Sequence, residues 1–132
     1  MSGKKRILHV DDDRNFLEAT ARVLESAGYE TASATGMRGC FERIAEKTPD
    51  LIILDVMMGR IDTGFELTRK LKNDPKTADI PVVLLTGLDK KYPFEFGETV
   101  RFGDWLKADR FLEKPLDAAE LLEHIEELLG ED

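Results

Sequence analysis

The chain has 132 residues, 42% of them hydrophobic, enough for one domain with a substantial core (residues 1–132) and too few for a second. Its 19 Lys and Arg stand against 27 Asp and Glu, and the net charge of −8 argues against a general affinity for nucleic acid or for an anionic membrane. A single cysteine, Cys40, excludes an internal disulfide and a cysteine-based metal cage, and no apolar stretch approaches the roughly 18 residues of a membrane span. With no signal-peptide pattern from Met1 to Arg6, the expectation is a soluble cytoplasmic protein.

Lys4, Lys5 and Arg6 read as a solvated lead-in to a strand, Arg6 to Val10, which ends on three acids, Asp11, Asp12 and Asp13. Phe16, Leu17, Thr20, Val23, Leu24 and Ala27 recur at helical spacing, so residues 14 to 27 predict an amphipathic helix, capped by Asp12 or Asp13 and stopped by Gly28. Tyr29 to Ala34 is a weaker strand. Met37, Cys40, Phe41, Ile44 and Ala45 then form the apolar stripe of a second helix, broken at Thr48-Pro49-Asp50. Leu51 to Leu54 is an unbroken apolar run, as expected of a parallel strand covered on both faces, and it delivers one carboxylate, Asp55. Burying that charge without partners costs several kcal/mol, which places it at the strand's mouth. Taken alone, Asp55 reads equally well as a helix cap or turn residue.

A loop from Gly59 to Gly64 leads to a third helix carrying Phe65, Leu67, Thr68 and Leu71, ended by Asn73-Asp74-Pro75. Ile80 to Leu85 is the next strand, with its proline near the start, and it closes on Thr86-Gly87. Residues 88 to 108 are irregular, with at most a short helix near 98 to 107. Arg110 to Leu112 is a last short strand, Glu113-Lys114-Pro115 a loop, and Asp117 opens a final helix with Glu120 in capping-box position and Leu121, Leu122, Ile125, Leu128 and Leu129 as its apolar stripe. Of the two histidines, His9 reads as a packed strand residue and His124 as a surface one.

Five β-α units predict a parallel sheet with helices on both faces, because crossovers between parallel strands are right-handed. Ligands of such sheets bind beyond the carboxyl ends of the strands. The polar residues at those ends are Asp11, Asp12, Asp55, Thr86 and Lys114. Converging carboxylates about 4 Å apart repel by roughly 1 to 4 kcal/mol per pair and require a cation. Oxygen donors without histidine or cysteine partners suit Mg²⁺ rather than zinc. A metal, a lysine, a hydroxyl and an exposed aspartate together form the equipment of phosphoryl transfer, in which a carboxylate can be the nucleophile.

In Ile7 to Asp13, Leu54 to Met58, Gly64 to Leu67, Pro81 to Gly87 and Phe111 to Pro115, the chain resembles the receiver domain of two-component response regulators over essentially its whole length. The resemblance implies a flavodoxin-like (βα)5 doubly wound sheet with strand order 2-1-3-4-5. It further implies Asp55 as phosphoacceptor from a phosphohistidine, with Mg²⁺ held directly by Asp12, through water by Asp11, by Asp55 itself and by the backbone carbonyl of Met57. Thr86 becomes the hydroxyl that meets the phosphoryl group, Lys114 its ion partner, ahead of a cis Lys114-Pro115 bond, and Phe111 the switching aromatic. The implied partners are a sensor histidine kinase or phosphotransfer protein and a downstream protein bound through the surface of residues 88 to 130, with no direct contact to nucleic acid or membrane. Such a stand-alone domain is a switch rather than an enzyme, monomeric or dimerising on phosphorylation.

Two stretches depart from the family pattern. Gly59 replaces a common proline and one extra residue precedes Gly64, while the interval from Thr86 to Lys114 is lengthened and Leu106 to Asp109 replaces the usual small residues. A shortened or irregular fourth helix is therefore expected. The aromatics Tyr92, Phe94, Phe96, Phe102 and Trp105 form either a self-packed insertion or a partner patch, and removing the segment is expected to alter partner binding while sparing phosphorylation. Two rivals remain at this level: a receiver-like binding module that is never phosphorylated, and a haloacid-dehalogenase-type phosphatase using Asp11 of the Asp11-Asp12-Asp13 motif.

Overall fold

The computed structural model describes residues 4–55, 63–87, 110–114 and 117–130. Five parallel strands, β1 (Arg6–Val10), β2 (Glu30–Ala34), β3 (Leu51–Asp55), β4 (Val82–Gly87) and β5 (Arg110–Lys114), form one sheet in the order β2-β1-β3-β4-β5. The described helices are α1 (Arg14–Ser26), α2 (Met37–Glu46), α3 (Thr63–Asn73) and the C-terminal α4 (Ala118–Leu129). None is long and apolar enough to cross a membrane. The helix expected between β4 and β5, the 88–108 aromatics, residues 59–62 of the expected loop and Pro115 with its peptide bond lie outside the described residues, while Thr63 and Gly64, expected in that loop, begin α3.

β3 runs through the middle of the core. Leu51, Ile52, Ile53 and Leu54 are all fully buried, each worth about 1.5–3 kcal/mol against an exposed position. Strand alternation divides them between two layers. Ile52 and Leu54 join Leu8, Val10, Val82 and Leu84 beneath Cys40 of α2 and Leu67 and Leu71 of α3. Leu51 and Ile53 join Ile7, Val83 and Leu85 beneath Leu24 of α1 and Leu121 and Ile125 of α4. The unbroken apolar run thus serves both faces of a covered sheet.

Several local expectations are refined. Asp13, not Asp12, caps α1, its Oδ1 accepting from the Phe16 N–H at 3.1 Å. Gly28 follows with φ of 99°, a conformation that L side chains rarely adopt. β4 starts at Val82 rather than Ile80, because Ile80 donates its N–H back into a turn at Thr77 and Pro81 has none to give the ladder. Lys72 fastens that turn through the carbonyls of Ala78 (3.2 Å) and Ile80 (2.6 Å). β5 runs two residues beyond Leu112, so Lys114 ends a strand rather than occupying a loop. Asp117 caps α4 through the Ala119 N–H at 3.1 Å.

The α2 stripe is narrower than its periodicity implied. Cys40 is buried, but Phe41 and Ala45 are exposed. α2 packs mainly against β2 at the sheet's margin, where there is too little sheet to cover the full stripe. His124 is half-buried rather than a free surface residue, with Nδ1 at 2.9 Å from Arg110 Nη1, which also pairs with Glu127 at 2.9 Å.

Candidate functional site

The last register pair between β1 and β3 is Val10 with Leu54. One step further come Asp11 and Asp55, so adjacent parallel strands, about 4.8 Å apart, carry the two acids to the same edge. Here the chain order reverses, since β1 is flanked by β2 on one side and β3 on the other. Asp12 completes the group, and one carboxylate oxygen from each of Asp11, Asp12 and Asp55 lies within 4.8 Å of the others. Asp11 is fully buried, Asp55 is 4% exposed and Asp12 faces solvent. Among the described residues no other trio of His, Cys, Asp or Glu is gathered in this way.

Local structure holds Asp11 in place. Its N–H donates to the Ala34 carbonyl at 3.0 Å, tying the end of β1 to the end of β2. Its Oδ1 accepts from the Asp13 N–H at 2.9 Å, so the turn that caps α1 also orients the acid. On the core side, His9 Nε2 lies 3.9 Å from Asp11 Oδ2, and the imidazole stands edge-on to Phe16 with ring centroids 5.4 Å apart. His9, read from sequence as a packing residue, therefore adjoins the site. The available signal was strand alternation, which puts residues 9 and 11 on one face.

At no more than 4.8 Å, each pair of ionised carboxylates repels by about 0.9 to 3.5 kcal/mol between effective dielectrics of 80 and 20. A hard cation with a preference for oxygen relieves this, and three carboxylates, two of them shielded from water, fit Mg²⁺ completed by water molecules. Thr86 and Lys114 are the register partners of Glu113 and Gly87 at the carboxyl ends of β4 and β5, the same edge of the sheet. Their backbones place them there, and their side chains lie outside the described part. Phe111 pairs with Leu84 inside the sheet, while Met57 lies outside the described residues. Cys40 belongs to the opposite layer, where burial pushes its thiol up to about 12 and removes it as a nucleophile near neutrality.

A doubly wound parallel sheet with a trio of acids at its switch point defines a receiver-type α/β domain. The chain belongs to the response regulator receiver domain family, whose model matches residues 7–126. It is 38% identical over 129 residues to the DNA-binding dual master transcriptional regulator RpaA of Synechocystis, covering 94% of this chain and 48% of that one. It is 35% identical over 125 residues to the phosphate regulon transcriptional regulatory protein PhoB of Pseudomonas aeruginosa, covering 95% and 52%. The chain thus spans about half the length of these curated relatives.

Among solved structures, a CheY-like response regulator receiver domain protein from Methanospirillum hungatei matches with a TM-score of 0.81 at 29% identity, over 98% of this chain and 96% of that one. The signal receiver domain of a histidine kinase from Syntrophus aciditrophicus matches with a TM-score of 0.81 at 36% identity, over 96% and 90%. The flavodoxin-like architecture and the receiver role in two-component signalling follow, and the dehalogenase-type alternative is set aside. Asp13, which that alternative required beside Asp11, is committed to capping α1.

Proposed function

We propose that Asp55 accepts a phosphoryl group from the phosphohistidine of a sensor kinase or phosphotransfer protein and thereby switches this domain's affinity for a downstream protein. The observation that carries the proposal is the gathering of the Asp11, Asp12 and Asp55 oxygens within 4.8 Å, with Asp55 at the open end of a buried strand. A carboxylate oxygen of Asp55 attacks phosphorus, the new O–P bond forms as the N–P bond breaks, and the imidazole leaves with the electron pair. Asp11, Asp12, Asp55 and the backbone carbonyl of Met57 would hold Mg²⁺, which when bound would neutralise charge on the transferring group. Lys114 pairs with the phosphoryl oxygens and Thr86 moves to donate to another, after which Phe111 repacks and the surface of residues 88 to 130 changes.

The domain assists its own modification and hydrolysis without turning over a separate substrate. It acts as a single unit over residues 1–132 in the cytoplasm, as a monomer or a phosphorylation-dependent dimer, apart from nucleic acid and membrane. Incubation with acetyl phosphate and Mg²⁺ should add the mass of one phosphoryl group to the intact chain. An unchanged mass, or a modification that persists in Asp55→Ala, would refute the assignment.

A further inference from the structure

We propose that His9 is a positioning residue for the cation site, holding Asp11 in the orientation that the metal and its water require; this rests on the reading of the acidic cluster given above. Ile7, His9 and Asp11 point to one face of β1 by strand alternation, and at its end His9 is 3% exposed and Asp11 fully buried. The two Asp11 oxygens face different groups. Oδ1 accepts from the Asp13 N–H at 2.9 Å, and Oδ2 faces His9 Nε2 at 3.9 Å. The longer distance exceeds a hydrogen bond, so this contact orients by electrostatics.

The contacts close into a ring. Asp13 Oδ1 accepts from the Phe16 N–H at 3.1 Å, and the Phe16 ring meets the His9 ring at 5.4 Å and 77° between planes. From Asp11 the circuit passes through Asp13 and Phe16 to His9 and back to Asp11, joining the first turn of α1 to the strand end. The proposal needs the hydrogen on Nε2, where a ring N–H is attracted to the carboxylate oxygen and a bare lone pair is repelled. An aliphatic residue would fill the same core position without the cost of burying a polar ring. The imidazole contributes direction, as outer partners of metal-ligating groups do.

The experiment uses the full chain with Mg²⁺ alone as the probe. Calorimetric titration should show His9→Leu binding Mg²⁺ about tenfold more weakly than wild type. His9→Gln, whose amide can return an N–H to the position of Nε2, should stay within about threefold. Melting in EDTA should find His9→Leu no less stable, separating orientation from packing. Independently of any variant, nitrogen-15 spectra of wild type should show the Nε2–H tautomer of His9, with its resonances shifting along the Mg²⁺ titration. Equal affinity in His9→Leu, equal weakening in His9→Gln and His9→Leu, or an Nδ1–H tautomer in wild type would each overturn the proposal. Wild type failing to bind Mg²⁺ would instead overturn the cation site itself, and this inference with it.

Discussion

Replacing Asp12 by Asn should make the protein more stable without Mg²⁺ and less stable with it. Asp12 contributes one of three carboxylate oxygens that lie within 4.8 Å of one another, so its charge opposes both Asp11 and Asp55. Because Asp12 faces solvent, the high-dielectric end of the range applies, about 0.9 kcal/mol for each pair. Physiological salt, with a Debye length of about 8 Å, roughly halves the sum, leaving about 1 kcal/mol of relief. In wild type, Mg²⁺ at a hundred times its dissociation constant returns about 2.7 kcal/mol. The variant, with one carboxylate fewer, recovers only a small part of that gain. Urea unfolding followed by circular dichroism, in EDTA and in saturating Mg²⁺, should therefore show the two midpoints exchanging order while the slopes stay equal. A variant that is less stable in EDTA, or that gains as much from Mg²⁺ as wild type, would show that the acids are not an electrostatically strained cation site.

Three further outcomes test the framework around the site. Leu54→Ala, at a fully buried position next to Asp55, should cost about 2–5 kcal/mol in denaturant unfolding. Asp13→Ala should cost about 1 kcal/mol by releasing the Phe16 N–H at the start of α1, measured in the same way. Burial raises the Cys40 thiol from 9.0 to about 12, so above pH 9 the unfolded chain loses a proton that the folded chain keeps. Stability is then full below pH 9 and declines toward pH 12 by up to about 1.4 kcal/mol per unit; Cys40→Ala should remove one proton's worth of that slope in unfolding curves across the range.

Two local patterns carried most of the fold. Unbroken apolar runs at residues 51–54 and 82–85, separated by helical stripes, already specify strands buried on both faces, because only a sheet with helices on each side covers consecutive apolar side chains. The ends of elements were less legible. Pro81 and the turn at Thr77 moved the start of β4 inward, since hydrogen bonding rather than hydrophobicity sets where a ladder begins. Phe41 and Ala45 follow the α2 period yet remain exposed, because periodicity does not report how much sheet lies beneath a helix at the margin.

The chain by itself determined which residues have the chemistry: acids at the ends of two apolar strands, a threonine and a lysine at the ends of two others, and a cysteine on a buried stripe. The meeting of the acids was decided by tertiary structure. The register that pairs Val10 with Leu54 sets Asp11 beside Asp55, and strand order 2-1-3-4-5 puts that pair at the point where the topology reverses. His9 shows the difference most directly. Along the sequence it is one more residue in a strand, and only the fold of α1 over β1 closes the contact from Phe16 through its ring to Asp11. Sequence spacing encodes faces and periods, whereas distances between strands and across layers arise when separate segments pack together.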